Sequence, residues 1–292
     1  MARVPVLAIA LLLTSGGVLG FAYVTTRRAE PEAVVHVDRV AQAVASTAST
    51  KSFTFTYSAE ISVAGESLRM SGAGSFDGEH KLVAMNLHFD GAPSGSPAAG
   101  ANAEFVVDNS HGLVEYLHMA LLDGHLPAGK SWVKIDVDAL GKKLGIDLSK
   151  LQQGDSADPA KMFSVLRRAA HPTVVGRESV GGVSTMHYKA TVDLRQLIAT
   201  EPDAVARESL QRAIDVSGIS TYPVEVWIDA DGYLRRMRIA IPAGVPAGTQ
   251  TNVATVTMTE ELSNFGTDVQ VAVPPAASVV DVADLAGSRS LQ

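Results

Sequence analysis

Residues 51–63, KSFTFTYSAEISV, alternate almost without a slip. Phe53, Phe55, Tyr57, Ala59, Ile61 and Val63 share one parity, and Ser52, Thr54, Thr56, Ser58, Glu60 and Ser62 share the other. Successive side chains of a strand point to opposite faces, so the stretch predicts a strand with one apolar wall and one polar wall. A turn at Gly65 leads into a second strand, SLRMSGAGSF. KLVAMNLHFD then puts Met85, Leu87 and Phe89 on one face of a third. Residues 91–101, GAPSGSPAAGA, have no hydrophobic period and read as a loop. Further strands are expected at 103–108, 112–119 and 131–137.

The pattern then changes period. Asp138 is placed to cap a short helix through Leu151, and Asp158 to cap another that starts at Pro159 and stops at Pro172. TVVGRESV, Gly181-Gly182 and VSTMHYKATVDL form a hairpin with Met186, Tyr188, Ala190, Val192 and Leu194 on one parity. Asp193 to Asp215 predicts one or two helices broken at Pro202. The last strands are YPVEVWID, with Val224, Val226 and Ile228 on one face, then YLRRMRIAI, a loop at 242–249 and NVATVTMTEEL, followed by an extended VQVAVPP tail. Ahead of all the strands, residues 30–49 read as a helix with a Val34, Val37, Ala41, Val44 stripe. Helix, strands, helices and strands in that order argue an α+β fold, a strongly curved antiparallel sheet over helices gathered on one face.

Composition narrows the class of function. Net charge is −7 over 292 residues, which disfavours a nucleic-acid partner. No cysteine is present, so disulfides, thiolate chemistry and a thioether lipid anchor are excluded. Val4 to Val24 is an uncharged run long enough for a helix to cross roughly 30 Å of hydrocarbon. It reads either as an uncleaved membrane anchor or as a signal peptide cleaved near Gly20-Phe21-Ala22. The organisation expected is therefore an anchor or signal at 1–24, a linker at 25–32, an exported domain at 33–284 and a tail at 285–292.

Catalytic signals are thin. Asp229 to Gly232, DADG, starts like a calcium loop, but the twelfth position is Ala240, and a hairpin turn accounts for it. His111, His118 and His125 recur every seven residues but fall on a strand and a Gly/Pro-containing turn, so convergence on a metal is not expected. Gly72 to Gly78 misses the dinucleotide fingerprint by one residue and opens no helix, and Ser184 lacks the second glycine of a nucleophile elbow. No catalytic residue, metal site or cofactor is assigned. Arg235, Arg236 and Arg238 form a basic spot that reads as a solvated sheet face or as a headgroup contact at a cavity mouth. In simple parity, Arg236 and Arg238 go with Leu234, and Arg235 with Met237 and Ile239. The apolar parities themselves read as plain core or as the wall of a cavity, and periodicity does not separate the two.

VVGRESVGGVSTMHYKATVDL, YPVEVWIDADGYLRRMRI and MTEELSNFGTDVQVAVPPAASVVDV resemble the actinobacterial LppX/LprAFG lipoproteins of the LolA-like lipid-carrier superfamily. The early strands SFTFTYSAEISVAGESLRMSGAGSF fit in order, more loosely, so the resemblance covers most of 33–284. It implies a half-barrel sheet wrapped over helices, with a hydrophobic cavity that takes acyl chains. On this chain that cavity would be lined by Phe53, Phe55, Tyr57, Ile61, Met85, Leu87, Phe89, Met186, Tyr188, Val224, Val226 and Ile228. The family's lipobox cysteine is absent, because VLG at 18–20 is followed by Phe21. The resemblance thus implies a non-catalytic envelope protein for lipid or lipoglycan transport or chaperoning, working with an envelope transporter and tethered through residues 4–24 if these are uncleaved. The alternative is a tethered extracytoplasmic sensor that binds a protein partner. Secretion after cleavage is the alternative location.

Overall fold

The computed structural model describes residues 39–63, 66–91, 100–136, 139, 172–201, 204–247 and 250–288. The expected anchor or signal at 1–24, the linker at 25–32, the helices at 138–151 and 158–172 and most of the 91–101 loop lie outside the described residues. Among those described, no helix is long and apolar enough to cross a membrane.

The chain enters through helix α1 (Arg39–Ala48) and then lays down β1 (Ser52–Val63), β2 (Glu66–Asp77), β3 (Leu82–Gly91), β4 (Asn102–Asp108), β5 (Val114–Met119) and β6 (Trp132–Asp136) as an antiparallel meander. A second run follows: β7 (Thr173–Val180), β8 (Val183–Asp193), α2 (Leu194–Thr200), α3 (Ala204–Ser217), β9 (Thr221–Asp229), β10 (Leu234–Ala247) and β11 (Gln250–Ser263). β11 pairs with β1, which joins the two meanders into one sheet of order β12-β6-β5-β4-β3-β2-β1-β11-β10-β9-β8-β7. The order is linear, with β12 and β7 at its two edges.

Local chemistry explains the turns. Gly181 and Gly182 both take positive φ between β7 and β8, as a two-residue hairpin with right-handed twist demands. DADG is the β9–β10 turn: Gly232 has φ +84°, and the Asp229 side chain accepts from the Tyr233 amide at 2.8 Å. Asp193 caps α2 by accepting from the Arg195 and Gln196 amides. Gly72 and Gly74 have a packing reason instead. A Cβ on Gly72 would meet the Asn86 carbonyl oxygen at 2.1 Å, and one on Gly74 would meet the Phe55 ring at 2.4 Å. The glycines of GAGSFDG are therefore the floor on which Phe55 and Leu87 lie.

Two expectations need correction. The sheet is mixed rather than purely antiparallel, because the residues after VQVAVPP cross to the far edge and add β12 (Val279–Asp281) parallel to β6. Such a connection needs a long crossover, here 264–278. A helix α4 (Val282–Ser288) follows. Residues 242–247 are not loop. β10 continues through them opposite β11, from Pro242↔Thr255 to Ala247↔Gln250. β9 pairs only as far as Ile239, so this end of β10 is an edge, where proline is tolerated.

Helices α1, α2 and α3 lie against one face. Leu197 of α2 and Leu210 of α3 pack with Ala190, Val192, Tyr222 and Val224. Val40 and Ala43 of α1 pack into the main core, while the stripe residues Val34 and Val37 lie outside the described residues, and nothing is described of the Ala41 and Val44 side chains. Thr47, fully buried, accepts from the Leu234 amide at 2.8 Å. Thr47→Val leaves that amide without a partner in a dry site and is expected to cost about 1–3 kcal/mol, read as a lower denaturant midpoint that Thr47→Ser restores.

Candidate functional site

The strand register sorts the apolar side chains into transverse rows on the helix-bearing face. One row runs Val280, Val133, Leu117, Phe105, Met85, Gly74, Phe55, Leu262. The next runs Met119, Ala103, Leu87, Gly72, Tyr57, Glu260, Met237, Val226, Tyr188. A third carries Phe89, Met70, Ala59, Met258, Ile239 and Val224. Ile61 pairs with Leu68 and Val256, while Ile228 pairs with Leu234 and Met186. Phe53 heads a row through Phe76, Val83 and Val107.

All twelve side chains expected on one wall therefore share one face. Phe53, Phe55, Tyr57, Ile61, Met85, Leu87, Phe89, Tyr188, Val226 and Ile228 are buried in a single apolar cluster, and Met186 and Val224 pack against it. The two halves of the chain contribute to the same surface only because β1 and β11 are neighbours.

The arginines serve elsewhere, and their parity differs from simple alternation. A bulge between Leu234 and Arg236 shifts the register, so Leu234 goes with Met237 and Ile239 on the core face. Arg236 and Arg238 are thereby turned to the outer face. Arg235 at the bulge donates from Nε to Asp229 Oδ2 at 2.5 Å and lies 4.8 Å over the Phe265 ring. Arg236 bonds Glu261 and lies 5.2 Å over Trp227, and Arg238 reaches Glu225 at 3.5 Å. All three are already paired with carboxylates.

That outer face holds a polar network that sequence periodicity gives no sign of. His187, buried, sits between Glu178 Oε1 at 2.9 Å and Glu225 Oε2 at 2.8 Å, its ring stacked 4.1 Å from Trp227. Trp227 Nε1 donates to Glu178 Oε2 at 2.7 Å, and this bond, with His187 beside it, holds the Glu178 carboxyl below its usual range. The network ties β7, β8, β9, β10 and β11 together through side chains. Among the described residues no three His, Cys, Asp or Glu side chains are placed to hold a metal. His111 and His125 are exposed, and His118 sits on β5 near Glu104.

One residue on the apolar face is acidic. VTMTEEL places Glu260 on the same parity as Val256, Met258 and Leu262, and the structure buries it there. The signal was available: an acid on the greasy parity of a strand.

No family model matches the sequence. An uncharacterized protein in the rplA–rplJ intergenic region of Streptomyces griseus is 26% identical over 162 residues, covering 54% of this chain. The chain spans about half the length of that curated relative, 50%. Its structural neighbours include the LppX and LprF lipoproteins. LppX of Mycobacterium tuberculosis aligns with TM-score 0.45 and 14% identity over 81% of this chain and 97% of its own. LprF of Mycobacterium bovis aligns with TM-score 0.39 and 16% identity over 81% and 95%. These are the lipoproteins that the hairpin and tail motifs resemble. At such scores the likeness is distant, and the fold stands on the strand register itself.

Proposed function

We propose that this protein binds the acyl chains of a lipid or lipoglycan against the apolar face of its sheet, without catalysis, and carries or holds them in the cell envelope. The observation that carries the proposal is the single apolar face built from β1 to β5 and β8 to β11. Curved into a half-barrel over its helices, as the resemblance implies, such a sheet would offer an elongated greasy surface that matches an acyl chain rather than a compact solute. An acyl chain of about 16 carbons gains roughly 12 kcal/mol gross on leaving water, before ordering costs. Shape and apolarity suffice for that, and no reactive side chain is required. Val4–Val24, as anchor or signal, supports export, with hand-over to or from an envelope transporter.

The test is extraction of the purified full chain. Native mass spectrometry followed by organic extraction is expected to return stoichiometric acyl lipid that survives gel filtration. Protein that emerges free of lipid, and that takes up none when offered a mixed lipid extract, overturns the proposal and leaves a plain packed core.

A further inference from the structure

The apolar rows have a polar interruption at the junction of the two meanders. Tyr57 on β1 and Glu260 on β11 stand directly opposite each other, 3% and 4% exposed. Directly opposed residues keep their Cβ atoms about 5 Å apart, and the Glu260 carboxyl adds to the upward push that burial gives the Tyr57 hydroxyl, so the two groups stand near each other. Around them the row continues with Leu87, Gly72, Met237 and Val226, none of which supplies a polar side-chain atom. The Tyr57 hydroxyl is fully buried and has no hydrogen-bond partner among the described residues.

A buried hydroxyl without a partner works against folding. Phenylalanine would fill the same volume without that loss, and the chain uses phenylalanine at 53, 55, 76, 89 and 105 on this same face. The tyrosine is explained if its partner arrives from outside the chain. We propose that Tyr57 and Glu260 form a polar station within the lipid-binding face that receives the carbonyl oxygen of a neutral acyl lipid, an ester or a protonated fatty acid. This inference rests on the acyl-binding function proposed above.

The chemistry favours a neutral oxygen over an ion. Burial pushes both the Tyr57 hydroxyl and the Glu260 carboxyl up, so both carry their protons at neutral pH. Two O–H groups then stand among apolar side chains, and each is a donor that a carbonyl oxygen can accept from. An ammonium headgroup finds no anion there, and a phosphate brings a charge into a site with no cation beside it among the described residues.

The experiment is displacement of a neutral fluorescent probe from the delipidated full chain by methyl laurate or by pentadecane, which have equal numbers of heavy atoms. The wild type is expected to prefer the ester by about fivefold or more, the worth of one net hydrogen bond. Tyr57→Phe and Glu260→Leu, both expected to fold at least as well as the wild type, should each erase most of that preference for the ester over pentadecane. Equal displacement by both compounds in the wild type, or a preference that survives both substitutions, overturns the station and leaves acyl binding intact. Displacement by neither compound overturns acyl binding itself, and the station falls with it.

Discussion

Glu260→Leu is expected to stabilise the protein, and by a larger margin the higher the pH. Glu260 lies on the core face among Val256, Met258 and Leu262, with Tyr57 opposite on β1 and Met237 opposite on β10. Burial raises its carboxyl from the ordinary 4.5 to about 8. Below the ordinary value both folded and unfolded chains hold the proton, and the group makes no difference. Between the two values the folded chain keeps a proton that the unfolded chain has lost, so stability falls as pH rises through that window. Above about pH 8 both states are ionised and the loss is complete. At about 1.4 kcal/mol per unit, the whole window amounts to several kcal/mol. Tyr57, pushed up by the same burial, stays neutral throughout and does not confuse the slope. Urea midpoints at intervals from pH 5 to 8 should fall in the wild type and fall less in Glu260→Leu and Glu260→Gln. The comparison between chains cancels the eight histidines, which titrate in the same range. A wild-type curve parallel to both variants would show that Glu260 is solvated in the folded state.

The second large effect is structural. Phe53→Ala is expected to cost about 3–5 kcal/mol, the usual range for deleting a buried ring. Phe53 is 1% exposed and stacks on Phe76 at 4.8 Å, with Phe55 and Phe265 at 6.3 and 6.0 Å. Phe265 in turn stacks on Tyr233 at 4.8 Å and carries Arg235 over its ring. One side chain thus connects β1 and β2 to the segment after β11 and to the β9–β10 turn. Phe53→Leu retains most of the buried area and should lose far less. Equilibrium unfolding of the two variants decides this, and a loss below about 1 kcal/mol for alanine would mean the cluster closes over the gap.

Much of this was open to reading along the chain. Strict alternation in 51–63 fixes β1 and its inward side, since a strand can bury only one parity against an apolar layer. The Gly181-Gly182 hairpin, the DADG turn and the Asp193 cap are likewise local, because backbone conformation at those positions follows from the residues themselves. Glu260 was equally visible, as an acid on a greasy parity.

The rest required partners distant in sequence. Which apolar walls share a face depends on β11 pairing with β1 across some two hundred residues, and no local period encodes that choice. The bulge at 234–236 reverses the parity of the arginines, because one extra residue turns every later side chain over. The parallel strand β12 needs an edge at β6 to exist before it can add to it. The orphaned Tyr57 hydroxyl is a fact about its surroundings rather than about tyrosine. Sequence determined which side chains seek burial, because hydrophobic period is a one-dimensional property. Tertiary structure alone decided what they meet there, because that depends on pairing between strands far apart in the chain.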